Sequence, residues 1–425
     1  MKQNVLKRQS RIYMNVSYRY KKSLKAYKWE LFVMNKLHIV DMFCGGGGES
    51  VGLIEAAELN GYKIHLTAIN HWERAIETHA ANYPSAEHLC ESIEHLDPIK
   101  VVPEQRLDLL WASPECTHHS LARGGRPRSE QSRATAWAIL KWASELWIER
   151  IIIENVPEFL TWGPLDKDGK LIKSRSGSTF KAFVQSLRSL GYTIDWRVLC
   201  AADYGIPTIR KRLFIQAVKG RKKIIWPQPT HYKDKNNLFG LPQWKSAREI
   251  IDWSIPCPSI FTRKKPLVTA TLRRIEIGVK KFGGIHTNSF LAVLRGTGTA
   301  RDIGLPLPSI TCSGAHHALV TPFVTAISQA STKDRSRNIH KPLSTICTKN
   351  EHCLVSPSFI STGYRFDIGF RMLQPHELAL ASGFPANYIF TGNCAERVKQ
   401  IGNAVPPGFA KALANSYYEN NRMQR

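Results

Sequence analysis

The sequence predicts an α/β fold: a doubly wound, parallel sheet joined to a second, smaller, irregular β-rich domain. Three observations predict it. Apolar strand-like segments alternate with helical segments over residues 37–156, the pattern of βαβ units. Residues 221–365 are rich in proline, lysine and short β-like pieces, with no long helical period. Helix signals resume at 374 and run to the end of the chain, which predicts a return to the first domain. The expected division is a basic extension over 1–36, an α/β domain over 37–220, a β-rich domain over 221–365 and a returning segment over 366–425.

Taken in order, LHIVDMF at 37–43 reads as a buried strand, GGGG at 45–48 as a turn, and SVGLIEAAELN after it as a helix. IHLTAI at 64–69 is a second strand, followed by a helix from about 72 to 82. LDLLWA at 107–112 is a third strand, and a polar, basic, glycine-containing stretch covers 113–133. A helix over roughly 134–149 leads to the strand RIIIENV at 150–156. YGIPTIRKRLFI at 204–215 reads as a turn and a strand, with Arg210 and Arg212 at strand spacing on one face. Beyond 220 a weak repeat appears: RDIGLPLPSIT at 301–311 resembles RNIHKPLSTIC at 337–347, and HALVTPF at 317–323 resembles HCLVSPS at 352–358. Duplicated strand pairs of this kind predict a β-rich unit.

Composition narrows the function classes. A chain of 425 residues can hold more than one core. It has no apolar run long enough to cross a bilayer and no apolar leader core, so neither a membrane span nor a secretory signal is expected. Its nine cysteines lack paired metal-ligand spacing, so free thiols in a reducing, cytoplasmic compartment and no metal centre are expected. Lys plus Arg is 59 against 34 for Asp plus Glu, a formal charge of +25 that favours a polyanionic partner. Part of it lies in residues 1–36, where Lys21, Lys22, Lys25 and Lys28 meet one acid, Glu30. This stretch reads as a mobile basic arm, or as upstream of a start near Met34.

Several residues could carry chemistry. The glycines after the first strand let a ligand approach the backbone at a helix N-terminus, without the G-x-G-x-x-G spacing of dinucleotide sites. A nucleoside cofactor or a plain tight turn would both fit. Cys116, in ASPECTHHS at 112–120, sits just past a strand end. It is either a nucleophile or a packed loop thiol. His118 and His119 read as loop residues with local hydrogen bonds. Glu154 and Asn155 end the next strand, and a carboxylate there costs desolvation energy unless it has partners. Neighbouring strand ends would bring Cys116 and Glu154 into one cleft beyond the carboxyl ends of the sheet. Arg210 and Arg212 suit phosphate or carboxylate recognition, or form a solvated face.

In this order and spacing the segments resemble the DNA (cytosine-5)-methyltransferase family of phage and bacterial type, over about 37–218 and 370–417. The resemblance implies a Rossmann-like methyltransferase sheet that binds S-adenosylmethionine. Phe43, Gly45 and Gly47 would line the donor, Trp72 would pack on its adenine, and Ile93 would border it. His71 stands where the family has Glu, and Ser92 where it has Asp. Asn403 and Ala404 of IGNAVPP would complete the pocket. Cys116 aligns with the nucleophile, with Glu115 in place of the usual proline. Glu154 would bind the cytosine, and Arg210 and Arg212 match the paired arginines, although Thr208 replaces a glutamine. Gln131, Ser132, Arg133 and Thr135 look like the motif after the mobile catalytic loop. Arg123, Arg126, Arg128 and Arg133 would bind DNA phosphates.

The implied reaction flips a cytosine out of duplex DNA and activates it through a Cys116 adduct. Residues 221–365 would read the target, with Arg273, Arg274, Arg295, Arg301 and Lys341 as candidate contacts. A cognate restriction endonuclease is an expected further partner, and a monomer the expected state. Two rival readings are a tRNA cytosine-5 methyltransferase and an inactive DNA-binding relative. Methyl transfer to duplex DNA rather than tRNA, and a trapped covalent adduct, separate them.

Overall fold

The computed structural model describes residues 36–114, 131–167, 170–233, 238–256, 258–267 and 365–423, with short pieces between 269 and 360. Its centre is a seven-stranded sheet of order β3-β2-β1-β4-β5-β7-β6. The strands are β1 (Lys36–Met42), β2 (Lys63–Ile69), β3 (Glu87–Leu89), β4 (Arg106–Ala112), β5 (Trp147–Asn155), β6 (Tyr192–Cys200) and β7 (Lys211–Lys219). The run from β3 to β5 is parallel. β7 lies antiparallel to both β5 and β6, so the parallel reading holds for the nucleotide-fold half and not for this edge. After β3 the chain returns to place β4 on the other side of β1, which makes the β1–β4 boundary the switch point where open α/β sheets take ligands.

Helices cover both faces: α1 (Gly48–Leu59), α2 (Glu73–Asn82), α3 (Pro98–Val101), α4 (Gln131–Glu145), α5 (Ser178–Ser189), α6 (Pro375–Ala381), α7 (Cys394–Asn403) and α8 (Pro407–Met423). Alternation along each strand assigns its side chains. Val40, Met42, Leu110, Ala112, Ile151 and Ile153 meet Ile139 and Trp142 of α4 and Phe183 and Leu187 of α5. Ile39, Leu109, Trp111 and Ile152 meet Leu53 and Ala56 of α1 and Phe409 and Leu413 of α8. Two buried faces explain why these strands read as unbroken apolar runs. Each such valine, leucine, isoleucine, methionine or phenylalanine side chain contributes about 1.5–3 kcal/mol by leaving water.

The C-terminal helix packs on the first. Lys411 Nζ lies 3.0 Å from Glu55 Oε2, and Asn60 Nδ2 donates to Asn415 Oδ1 at 3.0 Å. Gly52 permits the close approach: a Cβ there would sit 2.2 Å from Pro407 O and 2.6 Å from Lys411 N. Backbone cannot yield as a side chain can. Gly52→Ala is therefore expected to destabilise the fold by about 1–3 kcal/mol, read as a lowered melting temperature; an unchanged one would contradict this packing.

A buried clamp ties the middle of the chain to the returning segment. Arg371 Nη1 and Nη2 donate to Glu377 Oε2 and Oε1, each at 2.8 Å, and Nη2 also reaches Asp252 O at 2.8 Å. Asp252 N donates to Glu377 Oε1 at 2.8 Å. A forked arginine–carboxylate pair fixes direction as well as distance.

Among the described residues the β-rich region holds two small sheets. One joins β8 (Phe290–Val293), β9 (Arg301–Asp302) and β10 (His317–Val320) in the order β10-β8-β9; the other joins β11 (Phe323–Ala326), β12 (Ser336–Arg337), β13 (His352–Ile360) and β14 (Arg365–Met372) in the order β12-β11-β13-β14. The repeat is visible in them: HALV forms β10 and HCLV opens β13. Of the proposed base-reading residues, Arg301 lies in β9, and the Lys341 carbonyl accepts from Ala247 N at 2.7 Å. Arg273, Arg274 and Arg295 lie outside the described residues.

Two boundaries differ from the sequence reading. The helix expected at 134–149 spans Gln131–Glu145, and β5 begins at Trp147 rather than 150. Trp147 pairs with Arg106 of β4 and its N–H reaches Gln105 O at 2.9 Å. The ladder thus recruits residues whose local pattern also suits a helix.

Candidate active site at the carboxyl ends of the strands

β1 ends in the glycine turn. Phe43 has φ 62, Gly45 φ 51 and Gly47 φ 82. A left-handed phenylalanine is costly and persists where its surroundings over-determine it, as at ligand sites. Gly47 is enclosed: a Cβ would lie 2.5 Å from Tyr388 Oη and 3.1 Å from His79 Cδ2. Gly45 is open, with only the turn's own Phe43 O at 3.8 Å. One side of the turn is thus packed and the other is free.

Two buried carboxyls flank it. Asp41 accepts from Ser50 Oγ at 2.5 Å, and Glu49 accepts from Ser113 Oγ at 2.8 Å. Burial pushes Asp41 up to about 7, with the Ser50 hydrogen bond opposing. Burial raises Glu49 well above its ordinary range, and Asp41 adds to that. Asp41 Oδ1 and Gln400 Oε1 are buried without a protein hydrogen-bond partner.

β2 is followed by Asn70, whose Oδ1 accepts from Trp72 N at 2.9 Å and sets the turn into α2. Trp72 is half-buried, and Lys399 Nζ stands 4.1 Å from its ring centre, a cation–π contact. His71 is exposed and Ile93 is buried. Ser92 hydrogen-bonds Glu94, so the hydroxyl that replaces the family's aspartate is engaged locally. Asn403 ends α7 exposed, whereas Ala404 is buried and its N–H reaches Gln400 O at 3.0 Å.

The ends of β4 and β5 form the second half. Glu154 is buried, and Arg212 Nε lies 2.8 Å from its Oε1. Burial raises the Glu154 carboxyl above its ordinary value, while Arg212 and Arg210 oppose that shift. Asn155 Nδ2 donates to Pro114 O at 3.3 Å. Cys116, Glu115, Arg123, Arg126 and Arg128 lie outside the described residues. Gln131, Ser132 and Arg133 open α4. Pro114, two residues before Cys116 in the sequence, therefore stands beside the strand end that holds Glu154.

Arg210 differs from the strand reading. It precedes β7, is buried, and its Nη1 donates to Gly402 O at 2.9 Å. It thus joins the IGNAVPP segment to the Glu154 side of the site. Thr208 is buried at a bridge to Leu343. Among the described free cysteines, Cys44 and Cys200 are buried and burial raises both thiols, whereas Cys90 and Cys394 are exposed. Motif reading missed His79, Tyr388 and Gln400, because their roles depend on contacts between distant segments. No group of His, Cys, Asp and Glu among the described residues could hold a metal. No helix among them is long and apolar enough to cross a membrane.

Comparison with known proteins gives the family. Residues 37–419 match the family described as C-5 cytosine-specific DNA methylase. Type II methyltransferase M.AgeI of Thalassovita gelatinovora is 28% identical over 439 residues, covering 89% of this chain and 98% of that protein. Type II methyltransferase M1.HphI of Haemophilus parahaemolyticus is 22% identical over 404 residues, covering 93% and 90%. Among solved structures, a mutant of DNMT2 from Spodoptera frugiperda superposes with a TM-score of 0.53 at 14% identity, covering 89% of this chain and 99% of that one. The methyltransferase EhMeth of Entamoeba histolytica gives 0.52 at 13% identity, covering 91% and 99%.

Proposed function

The chain belongs to the C-5 cytosine-specific DNA methylase family and is a DNA (cytosine-5) methyltransferase, and from that premise we propose S-adenosylmethionine as donor, Cys116 as nucleophile and Glu154 as the acid at the base. The pairing of Arg212 with Glu154 beside the Asn155–Pro114 hydrogen bond carries the proposal.

The residues around the glycine turn fit the donor. Gly45 leaves room for it, and Asp41 Oδ1 and Gln400 Oε1 are buried acceptors without protein partners. Asp41 and Glu49 place two buried carboxyls near the turn, where a cationic ligand would favour their ionised forms. Phe43, Gly45, Gly47, Trp72, Ile93 and Ala404 would line it, with Asn403 and His71 at the rim. When bound, S-adenosylmethionine supplies the electrophilic methyl that carbon 5 takes up.

The protein's part is to make cytosine reactive. The base leaves the stack, since carbon 6 is out of reach within it. Cys116, about 7 Å of chain beyond Pro114 at full extension, attacks carbon 6 as thiolate. Glu154 holds a proton at nitrogen 3 and takes up the charge that develops on the ring. Its raised carboxyl suits that task, and Arg212 fixes its direction. A base then removes the carbon 5 proton and the thiolate leaves. Arg123, Arg126, Arg128 and Arg133 hold the DNA backbone, Arg210 braces the cleft, and residues 221–365 read the target. A monomer in the cytoplasm, paired with a cognate restriction endonuclease, completes this reading.

Expression in a host without cytosine methylation, followed by base-resolution sequencing of 5-methylcytosine, tests it. One short motif methylated throughout is expected. Unmethylated DNA in cells holding soluble protein would overturn it.

A further inference from the structure

The packed side of the glycine turn rests on a line of hydrogen bonds. Ser50 Oγ donates to Asp41 Oδ2 at 2.5 Å. Ser50 Oγ also meets His79 Nε2 at 2.9 Å, and His79 Nδ1 meets His88 Nε2 at 2.9 Å. These residues come from β1, α1, α2 and β3. The line therefore ties together the elements that surround the turn.

The chemistry of each group fixes its sense. With Asp41 ionised, Ser50 spends its one proton on the carboxylate and must accept from His79 Nε2–H. His79 Nδ1 then accepts from His88 Nε2–H. A proton on Asp41 Oδ1 leaves all three bonds in place, and a proton on Oδ2 reverses them by proton shifts along the line. His79 is neutral in both senses, because burial and the neighbouring His88 lower it to about 3. Both ring nitrogens stay engaged, so the ring cannot turn.

That ring is part of the floor under the turn. His79 Cδ2 lies 3.1 Å from where a Gly47 Cβ would be, and Tyr388 Oη donates to Gly46 O at 2.7 Å. The His79 and Tyr83 ring centres are 5.4 Å apart, and those of Tyr83 and Tyr388 are 6.4 Å apart. The turn sits on this fixed surface while Gly45 faces open space.

We propose that His79, locked between Ser50 and His88, is a positioning residue for the methyl donor: it sets the seat of the Gly45–Gly47 turn and thereby donor affinity. This rests on the reading that the turn holds S-adenosylmethionine. Small displacements of a preorganised site cost binding steeply.

The test uses the full chain, with donor Kd from calorimetry and KM for donor and for duplex DNA from labelled methyl transfer. His79→Leu keeps bulk and removes both hydrogen bonds. Donor Kd and KM should rise about tenfold, with KM for DNA within about twofold of wild type. His79→Gln can still donate to Ser50 and should recover most of the loss. Ser50→Ala should weaken donor binding in the same direction, and serves if His79→Leu does not fold. Donor Kd values at the wild-type level in folded His79→Leu or Ser50→Ala would overturn the proposal. So would His79→Gln as impaired as His79→Leu, or equal losses toward donor and DNA. A wild-type protein that fails to bind donor would instead overturn the reading of the turn.

Discussion

Cys116→Ser should lose turnover by on the order of 10⁴-fold or more while still binding duplex DNA. Cytosine is a poor electrophile at carbon 6 and a poor nucleophile at carbon 5. Covalent addition converts it to an enamine, and a serine hydroxyl has neither the acidity nor the softness to make that bond. None of the charged groups described around Glu154 is altered, so DNA affinity should stay within a fewfold of wild type. Single-turnover methyl transfer and a gel-shift titration on the same preparation check both halves. Near-normal turnover would remove Cys116 from the role.

Glu154→Gln should lower kcat by about 10²–10⁴-fold, the range for loss of a positioned acid. The amide keeps the shape but cannot carry the proton that nitrogen 3 needs as the adduct forms. It also leaves Arg212 without its anionic partner at 2.8 Å. The pH profile gives a second reading. Burial raises the Glu154 carboxyl, so the protonated form persists to higher pH than for an ordinary glutamate. Wild-type kcat should fall as pH rises through that pKa. The residual activity of Glu154→Gln should lack that alkaline limb. The same raised pKa has a stability sign: this group's contribution is fullest below its unfolded value and is lost as pH rises through the folded one.

Much of the site was legible because parallel strands place their carboxyl ends side by side. Phe43 and the glycine turn after β1, Trp72 after β2 and Glu154 at the end of β5 each follow a run of apolar residues. The strand that carries Arg212 was read, but not its direction; reversal against β5 brings Arg212 to Glu154 rather than to the far end of the sheet. β3 is only three residues long, and β6 at the sheet edge mixes buried, half-buried and exposed positions without regular alternation, so neither has a strong period. Arg210 was read as a strand residue because it stands at strand spacing from Arg212, yet its partner, Gly402 O, lies near the end of α7. The Asp41–Ser50–His79–His88 line was hidden for the same reason. Its members are separated by whole elements, and only the fold brings their polar atoms within 3 Å.

The most direct measurement is trapping on duplex DNA in which the target cytosine is replaced by 5-fluorocytosine. Fluorine at carbon 5 cannot leave as the proton does, so the thioether at carbon 6 cannot eliminate once the methyl has moved. A denaturant-stable protein–DNA complex that requires S-adenosylmethionine is predicted, with the modified peptide mapping to Cys116. An active enzyme that forms no such complex, or an adduct on Cys44, Cys90, Cys200 or Cys394, would contradict the account.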